Sequence, residues 1–240
     1  MGIPELLRFV DSAGQDAHIS LWSGKRATID GYAWLHRGAK TCAMEMARGT
    51  PTTAFVEYCL RLLQMMRGHG VDPVVVFDGG PLVAKGGTES DRETKRQSAR
   101  RLADELLRSG ERQRALEQYA RAVDVTPAHA RQLQLALRKQ RIRFYVAPYE
   151  ADAQLAHLAR AGHVDLVISE DSDMLAFGCP AVLFKMDSAG HGRLIERASL
   201  ARATDAAKAG CVPMPLFSPW EVWDDGLFLD LCILAGAQPE

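Results

Sequence analysis

The sequence predicts an α/β fold in which a mostly parallel central sheet is flanked by helices. Three observations predict it. Continuous apolar runs such as Val74-Val75-Val76-Phe77 suit strands buried on both faces, the environment of a parallel sheet. These runs alternate with longer segments whose apolar residues recur at helical spacing. Acidic residues stand where the runs end, and open parallel sheets carry their sites at the carboxyl ends of strands.

The elements follow in chain order. Lys25 to Asp30 reads as a short strand ending in an acid, and from Gly31 a helix places Leu35, Ala39, Cys42 and Met46 at core spacing. Tyr32, His36 and Lys40 form an adjacent stripe at i,i+4. Thr50-Pro51 predicts a cap followed by proline at the first helical position. Phe55, Cys59, Leu62, Leu63 and Met66 then line one face until Gly68 and Gly70 stop the helix. Val74 to Asp78 is the second strand in this reading. From Lys85 to about Asp124 the character changes: Lys85, Arg92, Lys95, Arg96, Arg100, Arg101 and Arg108 make the stretch basic, and Thr88 to Arg101 holds almost no apolar residue. A helix polar all round does not pack into a core, so a solvated or anion-binding helical insertion is expected at 82–124. Thr126-Pro127 predicts another capped start, for a helix carrying Leu133 and Leu137. A strand at Ile142–Val146, a helix after Pro148 and a strand at Asp165–Ser169 follow. Ala181–Met186 and Arg193–Glu196 flank Asp187–Gly192 as a hairpin. Ala198–Ala209 reads as helix, 210–226 as irregular, and Leu227–Leu234 as a last apolar helix.

Composition bounds the function. The 240 residues are 47% hydrophobic and 25% charged, ordinary for a globular chain. No apolar run reaches the roughly 20 residues of a membrane span, so no membrane partner is expected. Leu6 stands where a myristoylation signal needs Ser or Thr. The five cysteines are scattered and never CxxC, which predicts reduced, mostly buried thiols. With a net charge of -1, any surface for nucleic acid must be local.

The acids carry the chemistry. Asp30 and Asp78 end strands, Glu150 and Asp152 follow the third, and Asp171 and Asp173 follow the fourth. Singly, an acid after a strand is often only a cap or turn residue, and Glu150 or Asp152 would favour a helix dipole by about 0.3–1 kcal/mol. Six of them at one sheet edge is different. Two carboxylates about 4 Å apart repel by roughly 4 kcal/mol at an effective dielectric near 20, and a hard divalent cation with oxygen ligands resolves that.

Longer motifs surround these acids. They are Gly2-Ile3, Asp30-Gly31-Tyr32-Ala33-Trp34-Leu35-His36-Arg37-Gly38, Val76-Phe77-Asp78-Gly79, Ala147-Pro148-Tyr149-Glu150-Ala151-Asp152-Ala153-Gln154 and Glu170-Asp171-Ser172-Asp173-Met174-Leu175-Ala176-Phe177-Gly178. Together they resemble the flap endonuclease superfamily of structure-specific 5′ nucleases, from Met1 to about Leu200. The resemblance implies a PIN-like 5′ nuclease fold, with the basic insertion as a helical arch after the second strand. It implies 5′→3′ exonuclease and flap endonuclease activity in DNA repair, on DNA with 5′ ends, nicks, gaps or flaps, and a nuclear location. Asp30, Asp78, Glu150, Asp152, Asp171 and Asp173 would hold two Mg2+ ions, with Mn2+ a substitute, and Lys85 and Arg92 would polarise the scissile phosphate. Gly2, Tyr32, His36, Arg96 and Arg100 would contact DNA, Tyr32 and His36 at the bases of a junction and the arginines at phosphates.

The chain also departs from the family pattern. Leu231-Cys232-Ile233-Leu234-Ala235-Gly236-Ala237 leads to Gln238 where the pattern has an aspartate. The helical hairpin that grips duplex backbone and the tail that binds repair proteins are expected to be absent. Gly86-Gly87 interrupts the arch where a helix should begin, at about 1 kcal/mol per glycine. The expectation is a single nuclease domain over 1–240, incomplete at its C-terminus, with reduced or lost cleavage. A DNA-binding form without the chemistry is the alternative. A phosphatase or toxin-like ribonuclease on a similar sheet would have no use for a long basic arch.

Overall fold

The structure, a computed structural model, describes residues 2–3, 5–80, 89–201, 203 and 225–236. Among the described residues seven strands are formed: β1 (Gln15–His18), β2 (Arg26–Asp30), β3 (Asp72–Phe77), β4 (Arg143–Val146), β5 (Leu166–Ser169), β6 (Ala181–Phe184) and β7 (His191–Glu196). They make one sheet in the order β1-β7-β6-β5-β2-β3-β4. β2 runs parallel to β3 and β5, and β5 parallel to β6; β7 is antiparallel to β6 and β1. The predicted hairpin is β6–β7. The strand read from sequence as the first is the second, because β1 precedes it. Gln15-Asp16-Ala17-His18 has no β-branched residue and buries only Ala17, so it lacks a strand's usual signal.

The core follows from composition. Ala27 to Ile29, Val74 to Phe77, Leu166 to Ile168 and Val182 to Phe184 are all buried. Thr28 is one of the few polar side chains among them, and its Oγ1 donates to the Val74 carbonyl at 3.1 Å. That bond offsets the cost of removing the hydroxyl from water.

The helices are α1 (Leu6–Phe9), α2 (Gly31–Lys40), α3 (Ala43–Ala47), α4 (Ala54–Gly68), α5 (Glu89–Arg108), α6 (Arg112–Ala122), α7 (Pro127–Lys139), α8 (Ala151–Arg160), α9 (Asp173–Ala176), α10 (Arg197–Leu200) and α11 (Asp225–Leu234). Pro127 opens α7 as predicted, and His129 Nδ1 accepts from the Thr126 amide at 3.0 Å. The expected start at Thr50-Pro51 is displaced to Ala54. There the Thr53 carbonyl accepts from Val56 and Glu57, and the Thr53 hydroxyl donates to Glu57 Oε1 at 2.8 Å. Three hydroxyl residues surround Pro51, and the last of them provides the turn. The long helix expected from Gly31 breaks after Lys40, where Thr41 and Cys42 donate back to Gly38 and Ala39. Gly38 is needed there, since a Cβ would lie 2.7 Å from the Phe55 carbonyl oxygen. The helix expected over Ala198–Ala209 is described only as α10 with Ala201 and Ala203. The irregular 210–226 segment lies outside the described residues, except that 225–226 begin α11.

The chain packs as two compact units. The first comprises Met1–Asp30, Met65–Val76 and Asp152–Glu240, the second Gly31–Gln64 and Phe77–Ala151. The second unit contains the basic insertion as the α5–α6 pair: the polar run is exposed over most of Glu93–Arg101, as expected, and the apolar positions beyond it pack. Ala103 and Leu106 of α5 pack with Ala115, Tyr119 and Ala122 of α6 and with Ala43 and Ala47 of α3, forming a small core of their own. The polar run ends at Arg101, and the apolar seam that follows is spaced for a helix face. Arg48, which follows α3, reinforces it: its guanidinium lies 5.3 Å from the Tyr119 ring centroid and donates to Tyr119 Oη and Asp104 Oδ1.

Candidate functional site

In the first unit, the register Ile29↔Ile168 brings the ends of β2 and β5 out at one edge. Asp30 is the last residue of β2, Asp171 lies two residues beyond β5, and Asp173 opens α9. The acidic turn is built by its serines. Ser169 Oγ accepts from the Asp171 amide at 2.9 Å, and Asp171 Oδ1 accepts from the Asp173 amide at 3.0 Å. The chain start is tied to the same turn. Ile3 donates its amide to Asp173 Oδ1 at 2.9 Å, and the buried Ser172 hydroxyl donates to the Ile3 carbonyl at 3.3 Å. Gly2 has φ +102°, and a Cβ on it would lie 2.3 Å from Asp171 Oδ1 and 2.4 Å from Ser172 Oγ. Gly2, expected at the DNA, is therefore packed against the acids. Asp152 sits in the first turn of α8.

The second unit carries Asp78 and Glu150. Asp78 follows β3, and the backbone after it runs against Ala147–Tyr149. Ala147 donates to the Phe77 carbonyl at 2.8 Å, Gly79 to Tyr149 at 2.6 Å and Gly80 to Pro148 at 3.0 Å. Asp78 Oδ1 accepts from the Ala151 amide, the first of α8, at 2.7 Å. A carboxylate at a helix N-terminus meets unpaired amides and the positive end of the dipole. This contact places two acids far apart in sequence, Asp78 and Glu150, at one helix start.

The other expected residues are placed unequally. Tyr32 is half-buried with its ring edge-on to Phe77, centroids 6.3 Å apart. His36 is exposed on α2, but crowding by protein holds its imidazole below the ordinary value; Lys40 and Arg96 add to the lowering, while Asp124 and Asp78 oppose it. Arg96 ion-pairs with Glu93 at 2.9 Å and with Asp124 at 3.3 Å. Arg100 is exposed on α5. Lys85 lies outside the described residues, as does the Arg92 side chain. The sequence reading missed Ser169, Ser172, Glu93 and Asp124. The alternation Ser169-Glu170-Asp171-Ser172-Asp173 was the available signal for the first two.

All six expected ligands are carboxylates, a donor set suited to hard cations such as Mg2+, Mn2+ or Ca2+ and not to softer ions, which favour nitrogen and sulfur. Among the described residues, no three His, Cys, Asp or Glu side chains are gathered as for one ion. Each unit instead holds its acids by backbone amides: Asp78 by Ala151, Asp171 by Asp173 and Asp173 by Ile3.

Comparison with known proteins gives a consistent result. Residues 1–99 match the XPG N-terminal domain and residues 141–238 the XPG I-region. Exonuclease 1 of Xenopus laevis is 38% identical over 236 residues, 98% of this chain and 30% of the frog protein. Exodeoxyribonuclease 1 of Schizosaccharomyces pombe is 44% identical over 205 residues, 85% of this chain and 36% of the yeast protein. The chain thus spans about a third of the length of these curated relatives. The catalytic core of Rad2 in complex with DNA substrate has a TM-score of 0.60 at 22% identity, over 84% of this chain and 56% of that one, which shows a shared fold.

Proposed function

Given that the chain belongs to the family that carries the XPG N-terminal domain and I-region, we propose that it is a divalent-metal-dependent 5′ nuclease acting on DNA. Its reaction is hydrolysis of phosphodiester bonds, removing nucleotides 5′→3′ and cutting flaps at duplex junctions. The single observation that carries this reading is the placement of the acids. Asp30 and Asp171 leave neighbouring parallel strands at one edge, and Asp78 is bonded to the start of α8 beside Glu150. The relatives' names, exonuclease 1 and exodeoxyribonuclease 1, support the reaction class.

In this reading, which follows the family resemblance, Asp30, Asp78, Glu150, Asp152, Asp171 and Asp173 serve as oxygen ligands. Two divalent ions, Mg2+ or Mn2+, would supply an acidified water and charge neutralisation on the phosphate. The chain's own contribution is to orient ligands. Ile3 aims the Asp173 carboxylate, Ala151 aims that of Asp78, and the tight seat of Gly2 keeps the Asp171 turn from opening. Lys85 and Arg92 are proposed to polarise the phosphate, and the exposed Arg100 to bind DNA backbone. Tyr32 and His36 are proposed to meet bases at a junction, where crowding by protein holds the His36 imidazole below its ordinary value. DNA repair as the setting, repair proteins as partners and the nucleus as location complete the proposal.

The test is cleavage of labelled 5′-recessed, nicked and flapped duplexes with Mg2+. Asp173→Ala should abolish cleavage and leave DNA binding, measured in Ca2+, nearly unchanged; undiminished cleavage would sink the assignment. A second reading, DNA binding with impaired cleavage, is favoured by Gln238, an amide where the family pattern has a carboxylate. It predicts weak cleavage by the chain as it stands and a gain with Gln238→Asp.

A further inference from the structure

The helix α7 and strand β4, both in the second unit, carry a surface that the nuclease reading does not use. From Val125 to Tyr149 there is no Asp or Glu, while Arg131, Arg138, Lys139, Arg141 and Arg143 stand in the same stretch. That concentration of positive charge is notable in a chain of net charge -1. β4 is also the last strand in the sheet order. Among the described residues, its outer edge has no strand beside it. Large apolar side chains are exposed along it: Tyr145 is 47% exposed, Val146 54% and, just beyond, Tyr149 58%. Such an edge is a template for another extended chain unless it is protected.

We propose that the outer edge of β4 is a docking site for an acidic, extended peptide segment of a partner protein, which adds as a further strand. Charge complementarity selects the occupant. A second copy of this chain would set Arg143 and its basic neighbours against themselves, and like charges directly opposite destabilise a strand pair. An acidic segment meets the opposite sign. Backbone amides and carbonyls at the edge would supply affinity, and alternate side chains specificity. Nucleic acid shares the sign and could stack on Tyr145 and Tyr149, but it cannot pair with the backbone of a strand edge, which a peptide can.

The joint between α7 and β4 supports the same reading. α7 ends with Ile142 donating to the Leu137 carbonyl at 3.0 Å and Arg141 to the Arg138 carbonyl at 3.1 Å. Arg141 itself takes φ +55°, a conformation that glycine or asparagine normally supplies at a helix end. The residue type is therefore unfavourable for the turn, while its charge is delivered at the head of the strand. Arg138 lies 5.5 Å over the Phe144 ring, fixed beside β4. Lys139 and Arg141 have no ion-pair partner among the described residues.

The test needs no nuclease activity, so it fails or succeeds separately from the proposed function. The probe is a fluorescein-labelled twelve-residue peptide alternating glutamate with valine and leucine, followed by anisotropy with the full chain at low salt. Binding should weaken with salt, and the lysine-for-glutamate peptide should not bind. Placing proline at alternate positions, which removes edge-pairing amides, should weaken binding about tenfold. Hydrogen exchange at Arg143–Val146 should slow in the complex. Lys139→Glu with Arg141→Glu should reduce affinity about tenfold or more. Arg141→Gly suits the left-handed φ, so it keeps the turn while removing one charge, and should weaken binding severalfold with no loss of thermal stability. Absence of peptide binding, or equal binding of the proline peptide, overturns the proposal. So does oligothymidylate binding that these variants abolish while the acidic peptide stays unbound; the surface would then belong to nucleic acid.

Discussion

Removing one oxygen from Tyr119 tests how the α5–α6 pair is held. The ring is fully buried, and its hydroxyl donates to Asp104 Oδ1 at 2.5 Å and accepts from Arg48 Nε at 3.1 Å. Tyr119→Phe keeps the ring among Ala43, Ala47, Ala103 and Leu106 and deletes only these two bonds. A hydrogen bond to a charged group contributes about 1.5–3 kcal/mol net. Because the Asp104 side chain is 36% exposed, water replaces much of what it loses, so the expected cost is about 1 kcal/mol. Tyr119→Ala, which empties the core, should cost about 3–5 kcal/mol. The sign with pH is also set. Tyr119, and after it Arg48, hold the Asp104 carboxyl below its ordinary value. A depressed carboxylate stabilises the fold above its unfolded pKa, about 3.9, and that contribution fades as pH falls through the lower folded value. The Phe variant's deficit should thus be constant near neutrality and shrink in acid. The assay is urea unfolding from pH 7 downward, with hydrogen exchange reporting α5 and α6. Equal losses for Phe and Ala, or a deficit that grows in acid, would refute the reasoning.

Three further outcomes are expected. Gly79→Ala would place a Cβ 1.9 Å from the Ala147 carbonyl oxygen, so it should destabilise by on the order of 3 kcal/mol and suppress cleavage, seen in thermal melts and on flapped DNA. Gly2→Ala puts a Cβ 2.3 Å from Asp171 Oδ1 at φ +102°; stability should change by only about 1 kcal/mol, while the cleavage rate falls about tenfold through a displaced ligand. Burial pushes the thiols of Cys59 and Cys179 up to about 12, so iodoacetamide should leave both unmodified in the native chain at neutral pH and label them only on unfolding, read by mass spectrometry.

Legibility in the sequence followed the strength of the local signal. Val74–Phe77 and Leu166–Ile168 are continuous apolar runs, and both lie in buried strands. Phe55, Cys59, Leu62, Leu63 and Met66 are buried as their spacing required. β1 was illegible because an edge strand needs few apolar residues, and its pairing with β7 joins positions far apart in the chain. The α5 polar run was legible as a run, but its packing was not. Ala103 and Leu106 acquire their meaning only when α6 and α3 supply the opposing faces.

The sequence by itself determined the strand–helix alternation, the acids at strand ends and the motifs that carry the family resemblance, because these depend on residue type and short spacing. The tertiary structure alone decided what holds each acid. Asp173 is aimed by Ile3, Asp78 by Ala151, and Gly2 is seated on the Asp171–Ser172 turn. It also paired Arg96 with Asp124 and left Tyr145, Val146 and Tyr149 exposed beside an open strand edge. Such contacts join residues distant in the chain, and no local pattern records which backbone amide a carboxylate will meet once the chain has closed on itself.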